Sequence, residues 1–263
     1  MSPCALSAFD DNARMNSLQL FHALVAGHIL TGAVGLVAFW VPITSRKGGA
    51  RHRWWGRLFV RALLVTGVFA VGISIVTLHD PVATHPRLSE HPDLSDPTLI
   101  RAIFGWMMLY LAVLTINLAW YGQQCIDLRR RHAGHRAWYN FALQALLLLA
   151  ALQVLWRGWE VGQPLMIGIS MVGFATVATN LWFMLSRQPA SHAWQMEHIK
   201  GLVGAGISVY TAFFAFGAVR FYPDLALYPG YWAIPLIVGL GLILWHRHRV
   251  ARQAAPGRMR RVT

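Results

Sequence analysis

The chain has 263 residues, 56% of them hydrophobic and 13% charged, with twelve tryptophans and a formal net charge of +13. That balance excludes a water-soluble globule and marks an integral membrane protein. A basic surface attracts polyanions, but the excess here flanks apolar runs, where anionic headgroups meet it, so no nucleic-acid partner is read from it.

Apolar runs of roughly 20 residues cross a hydrocarbon core of about 30 Å as helices. The sequence predicts seven, at 18–43, 57–78, 99–121, 138–156, 164–185, 198–219 and 227–245. The expected fold is all-α: one polytopic helix bundle over 18–248, between a short external tail (1–17) and a basic tail (249–263). Alternate loops are then compared for Lys and Arg. One set holds Arg46, Lys47, Arg51, Arg53, Arg57 and Arg61, then Arg129, Arg130, Arg131 and Arg136, then Arg187 and Lys200, then six arginines between Arg247 and Arg261. The other holds five arginines and eight of the ten acids. The N-terminus is therefore expected outside and the C-terminus in the cytoplasm of a bacterial inner membrane, with the lipid bilayer as the first partner.

The first run is too long for a signal peptide and has no small-residue cleavage site behind it; Met15, just before it, is an alternative start. Within it, FHALVAGHILTGAVG puts His28, Thr31, Gly32 and Gly35 on one helix face. Small residues let a second helix approach, so this face is expected to point into the bundle. His28 then lies about 15 Å below the outer end, at about 1.5 Å per residue. A hydrogen bond that fixes packing and a functional role are equally open for it.

Next comes KGGARHRWWGRLFVR, residues 47–61. Its arginines read as anchors, stems along the span and charges among the headgroups. His52 does not, because a neutral imidazole adds little to anchoring. The loop 79–97 is too short and too rich in proline to bury a core. Its His79, His85 and His91, with Asp80 and Glu90, would hold a metal only loosely, and His22 with His79 is a weak metal-ligand pair on the outer side.

In the middle spans Asn117, Gln144, Gln153 and Asn180 read as helix glue. In the sixth, His198, Gly201, Ala205, Ser208 and Ala212 form another narrow face, with His198 at the same inner depth as His52. Every acid is assigned to a loop or span end, which weighs against a carboxylate proton relay. The last span has no lysine, which excludes a retinal Schiff base. Cys4 and Cys125 fall on opposite sides of the membrane and cannot pair within one chain.

Two histidines facing each other from neighbouring helices can hold a haem iron, or with other donors zinc or copper. No helix carries two histidines about four turns apart, as transmembrane di-haem cytochromes commonly do, so haem b is a candidate cofactor on the strength of the interhelical pair alone. No span holds HExxH or HxxxH, and a zinc-dependent membrane hydrolase does not fit.

The order HxxxG in the first span, then KGG, then HRxxGRxF, resembles the bacterial predicted membrane proteins grouped as domain of unknown function 2306. The likeness continues through Trp194, His198, Thr211-Ala212-Phe213, Ala233-Ile234-Pro235-Leu236 and Gly239, and covers most of the chain. It implies recurrent positions at His28, Gly32, His52, Arg53, Gly56, Arg57 and His198; His22 has no counterpart in it. The leading functional expectation is a histidine-lined site, with His28, His52, His198, Arg53 and Arg57 as candidates, that binds a cofactor or small ligand for haem- or quinone-linked electron transfer. A small-solute or ion transporter is the second reading. A non-catalytic partner of other membrane subunits is the third.

Overall fold

The computed structural model describes residues 3–86, 95–214 and 228–254. All regular structure among them is helical. The long helices are α1 (Pro3–Thr44), α2 (Ala50–His79), α3 (Pro97–Asp127), α4 (Trp138–Glu160), α5 (Pro164–Leu185), α6 (Ala193–Ala212) and α7 (Pro229–Ala254). A single turn, Pro81–Thr84, follows α2, and a short 3-10 helix, His132–Arg136, links α3 to α4. The first turns of α3, Arg101–Met107, are π-helical. His91 and Glu90 of the outer loop, the expected ends of the sixth and seventh spans at 219 and 227, and most of the basic tail lie outside the described residues.

Among the described residues, five helices, α1 to α5, are long and apolar enough to cross a membrane, α1 over Ser17–Thr44. The described part of α6 carries Gln195, Glu197, His198 and Lys200, and α7 ends in HRHRVARQA, which lowers their hydropathy. Helices run past the apolar segments that predict them. α1 is helical from Pro3, so most of the expected external tail is helix, and α2 starts at Ala50 rather than 57. A backbone ladder does not stop where lipid does, and Arg, His and Trp are at home in the interfacial turns.

α3 is the hub. It packs on α2, α4 and α6, while α1 lies on α2, α5 on α4 and α7 on α6. Leu63, Ile103, Met107, Tyr110, Leu147, Val154 and Met166 fill the core. The outward faces expose Leu30, Val68, Leu149, Trp182, Ile237 and Leu244, an apolar exterior that suits hydrocarbon and not water. Asn180 donates to Asn117 Oδ1 at 3.2 Å and to Gln144 Oε1 at 3.3 Å, tying α5 to α3 and α4 in a fully buried amide cluster. Three of the four amides expected as helix glue thus meet.

The closest backbone-to-backbone approach at a described glycine is between α3 and α6. A Cβ placed on Gly201 would lie 2.7 Å from Gly122 Cα, so the two backbones touch without side chains between them. Gly201→Ala is therefore expected to lower stability by about 2 kcal/mol or more. Gly241→Ala, where nothing lies within 4 Å, should be neutral or gain up to about 1 kcal/mol from helix propensity. Thermal unfolding of the two variants in detergent measures the difference, and equal melting temperatures would contradict the close crossing.

Candidate functional site

The basic turn after α1 is a helix-ending device. Gly48 takes φ +74°, a left-handed conformation that favours glycine, and lets the chain reverse. Lys47 Nζ then reaches back to donate to Pro42 O at 2.8 Å and Ile43 O at 2.7 Å. His52 Nδ1 comes within 3.0 Å of Pro42 O, and Arg53 donates to Gly48 O. The last carbonyls of a helix have no partners within it, and these cationic and imidazole groups supply them. Burial, with Arg249 nearby, holds the Lys47 pKa below its ordinary value.

His198 sits one turn before Gly201 and places Nδ1 2.9 Å from Gly122 O. His198 and His52 lie within electrostatic range of each other, and both feel Lys47. His246, buried near the end of α7, feels Lys47 and the Arg249 of its own helix. The sequence pairs His52 with His198 by depth; the structure adds Lys47 and His246 to the same end.

His28 stands apart. Its Nδ1 lies 3.2 Å from Thr66 O, while Thr31 and Thr66 Oγ1 are 2.8 Å apart and Gly32 and Gly35 rest on Thr66 and Leu63. The expected inward face of α1 is therefore its contact with α2. His28 is about 21 Å along α1 from Pro42, at about 1.5 Å per residue, so it does not join the His52 and His198 group. In all three histidines Nδ1 faces a carbonyl oxygen, which can only accept. The proton belongs on Nδ1, and Nε2 of the neutral ring is left with a free lone pair.

The remaining candidates separate. Arg53 is used by the turn, and Arg57 lines a cavity between α2 and α3. His22 and His79 are both exposed, and no described hydrogen bond, ion pair or ring contact joins them. His85 instead packs between Phe21 and Phe104, at centroid distances of 5.2 and 4.6 Å. Among the described residues no group of three or more His, Cys, Asp or Glu is placed to hold a metal ion.

A second polar cluster adjoins His198. Tyr121 donates to Glu197 Oε2 at 2.7 Å, Glu197 pairs with Lys200, and Lys200 Nζ donates to Thr179 Oγ1 at 3.1 Å. The ammonium also lies 5.1 Å from the Tyr121 ring centroid, with Cys125 buried alongside. The side chains of Glu197 and Lys200 are only 13% and 16% exposed. Glu197 is thus no solvated end residue, as its place in the sequence suggests, but a mostly enclosed carboxylate against α3. Its i, i+3 spacing from Lys200 was the available signal.

At the same end, the α3–α4 link caps α5. His132 Nε2 lies 3.0 Å from Ser186 O, and Arg136 donates to Met184 O and Ser186 O at 3.1 Å each. His135 is buried between His132 and Phe183, and burial, assisted by His132, pushes its pKa down to about 4. Compared with protein-family models, curated proteins and solved structures, the chain matches none.

A histidine whose folded pKa is depressed is held neutral by the fold, and the unfolded chain binds the extra proton. The contribution of His135 is therefore complete above its unfolded value of 6.5 and is lost as pH falls through about 4. Half-buried His85, also lowered to about 4, acts in the same direction. Thermal unfolding measured across this window should show stability falling with acid, with a shallower slope in His135→Phe. An unchanged slope would show that His135 is not held neutral.

Proposed function

We propose that this chain is a seven-span bacterial inner-membrane protein, N-terminus outside and C-terminus in the cytoplasm, whose cytoplasmic end binds a small ligand at His52 and His198. The distribution of arginines supports the sidedness. Contacts such as His132 with Ser186 and Arg129 with Trp194, and the repulsion Lys47 feels from Arg249, support a single basic end. Both histidines are among the positions implied by the resemblance to domain of unknown function 2306, together with His28.

The observation that carries the reading is the pair of imidazoles, on different helices, whose Nδ1 atoms are held by Pro42 O and Gly122 O. Carbonyl-oriented histidines of this kind present Nε2 as a directed acceptor. Such a site takes an O–H group or a metal centre, which are what a quinol and a haem offer. Electron transfer with a quinone-class carrier or haem b is therefore the concrete form of the proposal. The two cavities described, about 230 and 240 Å³, do not border the pair. A quinol ring entering edge-on from the lipid asks for less space than a haem, and it is the ligand we favour. Tyr121, Glu197 and Lys200 would be the neighbouring proton-bearing groups.

The same enclosed Tyr121–Glu197–Lys200 cluster favours a second reading, a small-solute or ion transporter, because buried ionisable groups mark solute and proton paths. Reconstituted flux in liposomes, lost in Glu197→Gln, would select it.

The direct test of the first reading is an absorption spectrum of the detergent-purified protein together with solvent extraction of bound quinone. Near-stoichiometric quinone, or a Soret band, should be present in the wild type and in His22→Ala and lost in His52→Ala and His198→Ala. Wild-type protein from replete cells with neither ligand would refute it.

A further inference from the structure

Arg57 and Arg61 stand on successive turns of α2, and both are exposed. Neither makes a hydrogen bond or ion pair with any described residue. The carboxylate on the adjoining stretch of α3, Asp127, accepts from Gln123 Nε2 at 3.0 Å and pairs with neither arginine. Two guanidinium groups about two and three turns inside the start of a membrane-crossing helix would be costly without an anion, and no described residue supplies one.

Between them lies a cavity of about 240 Å³, lined by Arg57, Val60, Arg61, Leu64, Trp120 and Gln123. Its wall is apolar, the aliphatic stems of Arg57 and Arg61 included, and the two arginines that border it are exposed. Trp120 has its indole N–H committed to Asn140 Oδ1 at 3.0 Å, so it offers the cavity a ring and no donor. A free inorganic anion would use the arginines and leave the apolar wall idle. A ligand with an anionic head and a hydrocarbon body uses both.

We propose that this cavity is a specific site for an anionic phospholipid. Arg57 and Arg61 bind the phosphate, and Val60, Leu64 and Trp120 take the start of the acyl chains. The site rests on α2 and α3 crossing the membrane and not on the redox reading. Loss of one therefore leaves the other standing. With the C-terminus in the cytoplasm, the lipid belongs to the inner leaflet.

Native mass spectrometry of the full chain in detergent tests this, with phosphatidylglycerol and phosphatidylcholine as probes and inorganic phosphate as competitor. The double variant R57Q/R61Q is compared with R129Q/R130Q, which removes two other exposed arginines at the same end. Wild type and R129Q/R130Q should retain phosphatidylglycerol over phosphatidylcholine, and R57Q/R61Q should lose that preference by about tenfold or more. Unchanged phosphatidylcholine retention in R57Q/R61Q shows that the variant is folded. Equal phosphatidylglycerol retention by R57Q/R61Q, or an equal loss in R129Q/R130Q, would overturn the site. Displacement of the lipid by inorganic phosphate would overturn the lipid as its occupant.

Discussion

The approach of Gly122 to Gly201 is the contact on which the rest depends. Because neither residue has a side chain, α3 and α6 meet backbone to backbone, and the Gly122 carbonyl comes within reach of His198. The same crossing brings Glu197 and Lys200 onto Tyr121 and Cys125. A larger residue at either glycine would push α6 outward and separate every polar group that α6 shares with α3. In a bilayer those groups have no water to turn to, so geometry and polar satisfaction rise and fall together.

The basic residues at this end do more than set orientation. α1 ends on carbonyls met by Lys47 and His52, and α5 ends on carbonyls met by Arg136 and His132. Positive or proton-donating groups suit the carbonyl end of a helix, where the dipole is negative. One short stretch of sequence thus closes a helix, fixes the next one and places an imidazole. Arg57 and Arg61 differ in having no such internal partner.

Hydropathy made the helical class and the α5 limits at Pro164 and Leu185 legible before any coordinates. Periodicity gave the His28, Thr31, Gly32 and Gly35 face, because a 3.6-residue repeat survives whatever the partner helix is. Two things escaped it. Depth says nothing about rotation or neighbours, so the 76-residue separation of Tyr121 from Glu197, and of Gly122 from His198, hid both contacts. Composition also treats Glu197 as a span-end charge, since the apolar threshold cannot distinguish a solvated carboxylate from one paired within the bundle. The separation of His28 from His52 and His198, by contrast, was legible from its level along α1, whereas its contact with Thr66 of α2 was not.

Backbone carbonyls fix the tautomer of His52 and His198 and leave Nε2 as the acceptor. ¹⁵N NMR of histidine-labelled protein, assigned by single His→Ala variants, reads this directly. The account predicts protonated Nδ1 and bare Nε2 for His52 and His198. A neutral ring with its proton on Nε2 at either residue would contradict it.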